Sequence, residues 1–193
     1  MRVADFIADF IFEELNVKHV FMVTGAGIMH LTDGVASHPK LQAICPHHEQ
    51  TSSMAIDAYS RASENFGVGF FTSGPGGTNA ITGLCGAWQD SVPCLFISGQ
   101  VKKKETTNNA KIPGLRQFGV QELDMIPIVK YACKYATTLN DPNKVKYEFE
   151  KAVHIAKSGR PGPVWIQIPM DVQSSIIDET KLNGFEHDDV IPT

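Results

Sequence analysis

The apolar residues of this chain recur with two different periods, one helical and one extended. In residues 3–15, large apolar side chains lie three or four positions apart and acidic residues occupy the other faces, which predicts an amphipathic helix. A short apolar run at 20–23 then predicts a buried strand. The alternation continues, with strands predicted at 41–45, 67–72, 93–98, 131–137 and 164–168, and with helices ending near 38 and spanning 49–64, 78–89, 123–129 and 142–157.

Strands that alternate with helices in this way predict an α/β fold, a three-layer α/β/α domain with a central parallel sheet of about six strands. At 193 residues, 42% of them hydrophobic, the chain is long enough for one well-buried domain and short for two. We assign that domain to residues 1–173 and treat 174–193, which are polar and aperiodic, as a linker or tail. Residues 102–120 show neither period, and a loop of that length in a compact domain is usually functional or mobile.

The bulk composition argues against several classes of partner. The formal net charge is -4 and the basic residues form no extended face, so no nucleic acid is expected. Every apolar run is interrupted well short of the roughly 18 residues that a membrane span needs, so no membrane is expected either. The 4 cysteines lack CxxC spacing and lie mostly in apolar stretches, which favours reduced, buried thiols in a cytoplasmic protein without disulfides or a metal.

Two polar motifs stand where a predicted strand passes into a helix. His47-His48-Glu49-Gln50 follows the strand at 41–45, and the glycine-rich residues 72–79 follow the next strand along the chain. The carboxyl ends of strands in an open parallel sheet are where ligands collect. One carboxylate beside a glycine-rich turn therefore favours a site for a neutral heterocycle. Glu49 has a second interpretation, because an acid in the first turn of a helix also offsets the helix dipole.

Other motif assignments fit less well. Residues 24–27 resemble the start of a dinucleotide fingerprint, but His30 stands where the third glycine is needed. The second motif, residues 72–79, lacks the Gly-Lys-Ser/Thr of a phosphate-binding P-loop. Pro75 also removes one backbone N–H donor, so the motif favours contact with a ligand through its shape over hydrogen bonding to an anion. The adjacent His47 and His48 point in different directions, so one packed and one solvent-facing histidine is favoured over a metal pair.

Further short strings lie in order along the chain, from about Val20 to Gln173. They are His48-Glu49-Gln50, residues 72–79, Asp90-Ser91-Val92-Pro93, Ile97-Ser98-Gly99-Gln100-Val101, Gln121-Glu122, residues 159–164 and Pro169-Met170-Asp171-Val172-Gln173. Together they resemble the amino-terminal pyrimidine-binding domain of thiamine-diphosphate-dependent enzymes of the acetolactate synthase and pyruvate oxidase type. Their joint order and spacing carry the resemblance.

The resemblance implies the thiamine-diphosphate-binding fold and a domain that binds and activates the cofactor's aminopyrimidine for a 2-oxo acid carboligase or decarboxylase. In this family, the glutamate at the position of Glu49 forms a hydrogen bond with a nitrogen of the aminopyrimidine ring and exchanges a proton with it. Burial between two protein surfaces assists such an exchange, because it disfavours a charged carboxylate. By the same resemblance, Gly25 and Ala26 match residues at the edge of the pyrimidine ring. The residues that match the other side of the ring are Thr72, Pro75, Gly76 and Asn79. Gln121 matches a residue that faces the substrate.

The chain departs from the synthase pattern in three places. His47 stands where the synthases commonly have arginine, residues 51–53 replace small apolar residues, and the loop between Val101 and Gln121 is longer. The resemblance thus implies a small 2-oxo acid substrate but leaves the identity of the substrate and of the acceptor open.

Nothing in the chain resembles the family's diphosphate-binding motif, a Gly-Asp-Gly followed by Asn-Asn, or its central domain. Magnesium is therefore expected only through a diphosphate-binding domain, in cis or in trans, and no flavin site is carried over. We expect an excised domain that is inactive alone and forms a homodimer through the helix after Glu49, with Met54, Ile56, Ala58 and Tyr59 at the contact. The alternatives are a natural small subunit of a split 2-oxo acid decarboxylase and a non-catalytic nucleotide-binding α/β module.

Overall fold

The computed structural model describes residues 1–186, which form one open sheet of six strands with helices on both faces. The strands are β1 (His19–Met22), β2 (Gln42–Ile44), β3 (Gly67–Phe71), β4 (Cys94–Gln100), β5 (Tyr135–Thr138) and β6 (Val164–Pro169). Their order in the sheet is β2-β1-β3-β4-β6-β5, and all neighbouring strands are parallel. The predicted fold class is therefore confirmed.

The helices are α1 (Val3–Glu13), α2 (Met29–Ser37), α3 (Glu49–Ser63), α4 (Pro75–Asn79), α5 (Ile81–Gln89), α6 (Thr107–Ala110), α7 (Ile126–Val129), α8 (Val145–Lys157) and α9 (Met170–Gln173). Short 3-10 turns lie at Ala26–Ile28, Lys103–Glu105, Pro142–Lys144 and Glu179–Lys181. None of the helices in the described part of the chain is both long enough and apolar enough to cross a bilayer.

The two faces of the sheet carry separate clusters of buried apolar side chains. Along β4, Leu95 and Ile97 belong to the cluster under α1, α2 and α8, whereas Cys94 and Phe96 belong to the cluster under α3, α5 and α7. On the second face, the rings of Phe96 and Trp165 stack with 5.5 Å between their centroids. Because β3, β4 and β6 are buried on both faces, their sequences are nearly continuous apolar runs.

Helix α3 has one face toward the sheet and one toward solvent. Ser52, Ile56 and Ser60 are buried, whereas Met54 and Ala58 are exposed. Ile56 is fully buried in the second apolar cluster, so the prediction that it supplies a dimer contact was wrong. The periodicity of the helix identified an apolar side chain but not the layer against which it packs.

The predicted helix at 78–89 is in fact two helices, and the first of them starts at Pro75. Pro75 occupies the first turn of α4. Backbone N–H groups in the first turn of a helix have no intrahelical acceptor, so the N–H that proline lacks does not cost the helix a hydrogen bond. Gly74 has a φ of 56°, a left-handed conformation that lets the chain turn sharply from β3 into helix. Helical backbone therefore begins inside the glycine-rich motif.

The end of the described chain packs against its beginning. Arg2 and Ile176 form an antiparallel bridge, and the amide of Ile177 donates to the first residue's carbonyl over 2.9 Å. Ile177 is buried in the same apolar cluster as α1. Residues 187–193, the last part of the predicted linker or tail at 174–193, lie outside the described residues.

The four cysteines are free and differ in burial. Cys94 and Cys133 are buried, and burial raises the pKa of each thiol to about 12. Neither thiol is therefore ionised at neutral pH, which makes both poor nucleophiles. Cys45 is exposed at the end of β2, so the prediction of buried thiols was wrong for this residue.

Candidate functional site

Apart from Gln121, which is in the loop after β4, the predicted site residues lie at the carboxyl ends of three neighbouring strands. β1 stands between β2 and β3 in the sheet, so the segments that leave these strands are adjacent in space. The chain passes from β1 to β2 and then returns past β1 to β3, which makes this point a switch in strand order. Open parallel sheets bind their ligands at such points.

Glu49 is the first residue of α3, directly after the N-cap. The cap is His48, whose Nδ1 accepts a hydrogen bond from the Gln50 amide over 3.2 Å. The Glu49 side chain is half-buried, and its Oε2 accepts a hydrogen bond from Asn79 Nδ2 over 3.0 Å. Among residues 1–186, no hydrogen bond reaches the second oxygen, Oε1. Asn79 therefore orients the carboxylate through Oε2.

The two histidines before Glu49 are both exposed, so the prediction that one of them is packed was wrong. A histidine at an N-cap has its ring at the helix end, where it bonds the backbone and stays in contact with solvent. Among the residues that the structure describes, no group of three or more His, Cys, Asp or Glu could hold a metal ion.

Thr72 is the contact between the glycine turns that follow β1 and β3. A Cβ on Gly25 would lie 2.5 Å from Thr72 Cβ, and a Cβ on Gly76 would lie 2.6 Å from Thr72 Cγ2. A larger residue at Gly25 would therefore force the two turns apart, and a larger residue at Gly76 would clash with Thr72 within the turn after β3. The Cβ position of Gly76 is also 3.6 Å from Glu49 Oε1. The absence of a side chain at both glycines thus lets Thr72 pack against their backbone beside the carboxylate, and the structure brings together Gly25, Glu49, Thr72, Gly76 and Asn79.

The remaining predicted site residues surround this group of residues. Ala26 is exposed in the turn after β1, and Pro75 is exposed at the start of α4. Gln121 is exposed with a φ of 58°, and its carbonyl oxygen would collide with a Cβ on Gly74. The structure therefore brings Gln121 next to the glycine-rich turn through its backbone.

Glu122 ties separate parts of the long loop after β4 together, and the Leu123 carbonyl ties the loop to strands β4 and β6. The Glu122 carboxylate accepts hydrogen bonds from the amide and hydroxyl of Thr107 and from the amides of Phe118 and Gly119, over 2.6 to 3.3 Å. Burial alone would raise the pKa of this carboxyl, but the hydrogen bonds outweigh burial and the pKa is lowered. The loop is therefore fixed where it returns to the sheet.

Three buried glutamines, for which the sequence pattern predicts no role, support this region. Gln100 and Gln167 both donate to the Leu123 carbonyl, over 2.7 and 3.1 Å. Gln173 donates to the Gly27 carbonyl over 2.7 Å. Each of them lies in or just after an apolar strand. A glutamine within or just after an apolar strand indicates that a nearby backbone group needs a hydrogen-bond partner, because buried polar groups are almost always hydrogen-bonded.

Comparison with known proteins identifies the family of the chain. The family model for the thiamine pyrophosphate enzyme, N-terminal TPP binding domain, matches residues 1–127. The mitochondrial acetolactate synthase of Schizosaccharomyces pombe is 37% identical over 164 residues, which are 85% of this chain and 23% of that protein. The acetolactate synthase large subunit of Porphyra purpurea is 38% identical over 160 residues, 81% of this chain and 26% of that protein.

A third relative is the acetolactate synthase large subunit of Lactococcus lactis, 33% identical over 171 residues, which are 89% of this chain and 28% of that protein. The chain thus spans about a quarter of the length of the curated relatives that it matches. The family match covers Glu49, both glycine turns and Gln121. The chain belongs to the thiamine pyrophosphate enzymes, in which it corresponds to the N-terminal TPP binding domain.

Proposed function

We propose that this chain binds and activates the aminopyrimidine half of thiamine diphosphate in an enzyme that acts on small 2-oxo acids. The observation that carries the proposal is the Glu49 carboxylate, with Asn79 on one oxygen and glycine backbone beside the other. An aminopyrimidine is a flat, neutral ring with nitrogen atoms at its edge. A carboxylate oxygen that accepts no hydrogen bond within residues 1–186, next to glycine backbone, suits such a ring.

The residues present fit the ring half of the cofactor and not its diphosphate half. The predicted site residues include no lysine or arginine to neutralise a diphosphate. The described chain also offers no cluster of metal ligands. We therefore assign diphosphate and Mg²⁺ to a separate diphosphate-binding domain, in cis or in trans.

Within this assignment, Glu49 is the residue that exchanges a proton with the cofactor. Asn79 occupies Oε2, so Oε1 is the atom that hydrogen-bonds a ring nitrogen and gives or takes the proton. Gly25, Thr72 and Gly76 orient the ring through shape. When bound, the cofactor supplies the electron sink for carbanion chemistry, and the protein supplies orientation and proton transfer.

The activity of the whole enzyme is proposed from its relatives, whose printed names are acetolactate synthases. A carboligase or decarboxylase of 2-oxo acids fits that class, with Gln121 on the substrate side.

We also propose a homodimer through α3 and α5, where Met54 and Trp88 are 49% and 42% exposed. Sedimentation that shows only monomer at high micromolar concentration would count against the dimer.

The proposed function is tested by titrating thiamine into the ¹⁵N-labelled chain and following the amide signals of α3 and the glycine turns. We expect a dissociation constant near or above about 1 mM, because only ring contacts are present. Glu49→Gln should weaken binding about tenfold, since it removes a charge-assisted hydrogen bond. The matched control is Glu148→Gln, which makes the same change in the first turn of α8 and keeps an acceptor for Tyr135.

Equal thiamine affinity of the wild-type chain and Glu49→Gln would contradict the assignment of Glu49. Calorimetric titration of thiamine diphosphate and Mg²⁺, with and without the diphosphate-binding domain, completes the test. Tight binding is expected only when that domain is supplied. Micromolar binding by the chain alone would show that it holds a complete site.

A further inference from the structure

Gln173 is a fully buried glutamine at the end of α9, the short helix that continues directly from β6. Its Nε2 donates to the Gly27 carbonyl over 2.7 Å and to the Ile168 carbonyl over 2.8 Å. Both partners are carbonyl oxygens, which only accept hydrogen bonds, so the side-chain nitrogen must face them. The orientation of this amide is thus determined by its surroundings.

The backbone of Gly27 is held at both its carbonyl oxygen and its amide. A Cβ on Gly99 would collide with the Gly27 carbonyl oxygen, so the end of β4 lies against one side of that oxygen and Gln173 approaches it as well. The Gly27 amide donates to Thr72 Oγ1 over 3.1 Å. The turn after β1 is therefore bonded to the end of β3 at one atom and to α9 at another.

Filling of space does not account for a glutamine at this position. The Oε1 atom of Gln173 is buried and has no hydrogen-bond partner within residues 1–186. A buried polar atom without a partner lowers stability, and a methionine would occupy the same space without that cost. The two donated hydrogen bonds are what distinguishes glutamine from methionine here.

We infer that Gln173 is a positioning residue for the ring site. It holds the Gly27 carbonyl, and so it sets how closely the turn of Gly25 and Gly27 approaches Thr72. That approach determines the shape of the surface beside Glu49. The inference rests on the proposed function for the identity of the ligand, and Gln173 acts through the turn without touching the ligand.

Gln173→Met and Gln173→Glu test this inference in the ¹⁵N-labelled chain. Methionine has a similar length but no donor, and glutamate has nearly the same shape but presents a carboxylate to two carbonyls. The matched control is Ser60→Ala. Ser60 is also buried and also bonds two backbone groups, the Gly67 amide and the Pro93 carbonyl, but at the amino ends of the strands.

The first measurement is hydrogen exchange of the Gly27 amide without ligand. We expect its protection to fall about tenfold relative to the rest of the sheet in Gln173→Met, and further in Gln173→Glu, with no selective change in Ser60→Ala. Thiamine affinity should fall about fivefold to tenfold in Gln173→Met and stay unchanged in the control. Unchanged Gly27 protection in Gln173→Met, or an equal loss across the whole sheet, would overturn the inference.

Failure of the proposed function gives a different pattern. The proposed function is wrong if the wild-type chain does not bind thiamine and also does not bind thiamine diphosphate when the diphosphate-binding domain is supplied. In that case, hydrogen exchange of the Gly27 amide still decides whether Gln173 holds the turn. If the wild-type chain binds thiamine and Gly27 protection in Gln173→Met is that of wild type, only the role of Gln173 is overturned.

Discussion

The connections that follow β3 and β4 start at the same edge of the sheet but are built in opposite ways. The first, residues 72–79, enters a helix at once, and its glycines Gly74, Gly76 and Gly77 are buried. The second, residues 101–125, is long, and it exposes apolar side chains to solvent: Ile112 is 57% exposed, Phe118 55% and Val120 83%.

The difference lies in what determines the shape of each connection. Backbone contacts that admit no side chain shape the first, as at Gly76 against Thr72. Hydrogen bonds that the Glu122 carboxylate accepts from backbone amides shape the second. A turn built from close backbone contacts is rigid, which suits a ligand that is the same in every member of a family. A loop held by a few hydrogen bonds can change its sequence without loss of the fold, which suits a substrate that differs between members. The proposed division, with ring binding at the first and substrate at the second, follows this contrast.

The largest effect is expected beside the first connection, at Glu49. In an enzyme that joins this chain to its diphosphate-binding domain, Glu49→Gln should lower turnover by about 100-fold or more, because glutamine cannot exchange the proton. Steady-state turnover and exchange of the cofactor's C2 proton measure this. If Glu49 only offsets the helix dipole, the variant instead loses about 0.3 to 1 kcal/mol of stability and keeps its rate.

Gly76→Ala tests whether the first connection excludes side chains. The new Cβ would lie 2.6 Å from Thr72 Cγ2, so we expect a loss of about 1 to 3 kcal/mol in the free energy of unfolding and loss of thiamine binding. Gly86→Ala in α5 is the control, because its Cβ would meet only Asp57 Oδ2 at 3.9 Å. The control should gain about 0.5 to 1 kcal/mol in urea unfolding. Equal stability of the two variants would remove the contrast.

Glu122→Gln tests the tether of the second connection. In either orientation, the NH2 of the glutamine would face backbone N–H donors, those of Phe118 and Gly119 or that of Thr107. We therefore expect a stability loss of about 1 kcal/mol and faster hydrogen exchange of the amides that lose their acceptor. The Gly27 amide should keep its protection. Glu105→Gln in the same loop is the control. Loss of protection in residues 72–79 would show that the two connections are not independent.

The effect of pH on this tether is smaller and has a defined sign. The pKa of Glu122 lies below its ordinary value of 4.5, since the hydrogen bonds favour the carboxylate more than burial disfavours it. The stabilising contribution is therefore present above that value and is lost as pH falls through the folded-state pKa. The stability difference between wild type and Glu122→Gln should shrink below about pH 4. A difference that is constant with pH would contradict this assignment.

The smallest effect is expected at the exposed tip of the second connection. Val120→Ala should change the free energy of unfolding by less than about 0.5 kcal/mol, because the side chain is 83% exposed. Val129→Ala in α7, where the side chain is 1% exposed, should lower it by about 1.5 kcal/mol. A larger loss at Val120 in thermal unfolding would mean that the tip packs against a second chain.

Much of the fold was predictable from periodicity. Each strand and long helix buries a defined face, and this leaves a pattern in consecutive residues, as in α1 and β4. The helix α6 was not predicted, because 4 residues are too few to show a period, whereas the equally short α7 lies within the predicted helix at 123–129. The tether between Glu122 and Thr107 was not predictable either, since it joins residues 15 positions apart in a segment without regular pattern.

Local sequence patterns are enough to predict the α/β class, the sheet edge at which the motifs lie, and the resemblance that places Glu49 beside a glycine-rich turn. These properties depend on residues that are close together along the chain. The folded chain alone reveals that Asn79 orients Glu49 and that Gln173 reaches Gly27 from 146 positions away. Contacts of this kind depend on the order of strands in the sheet, which no local pattern of side chains encodes.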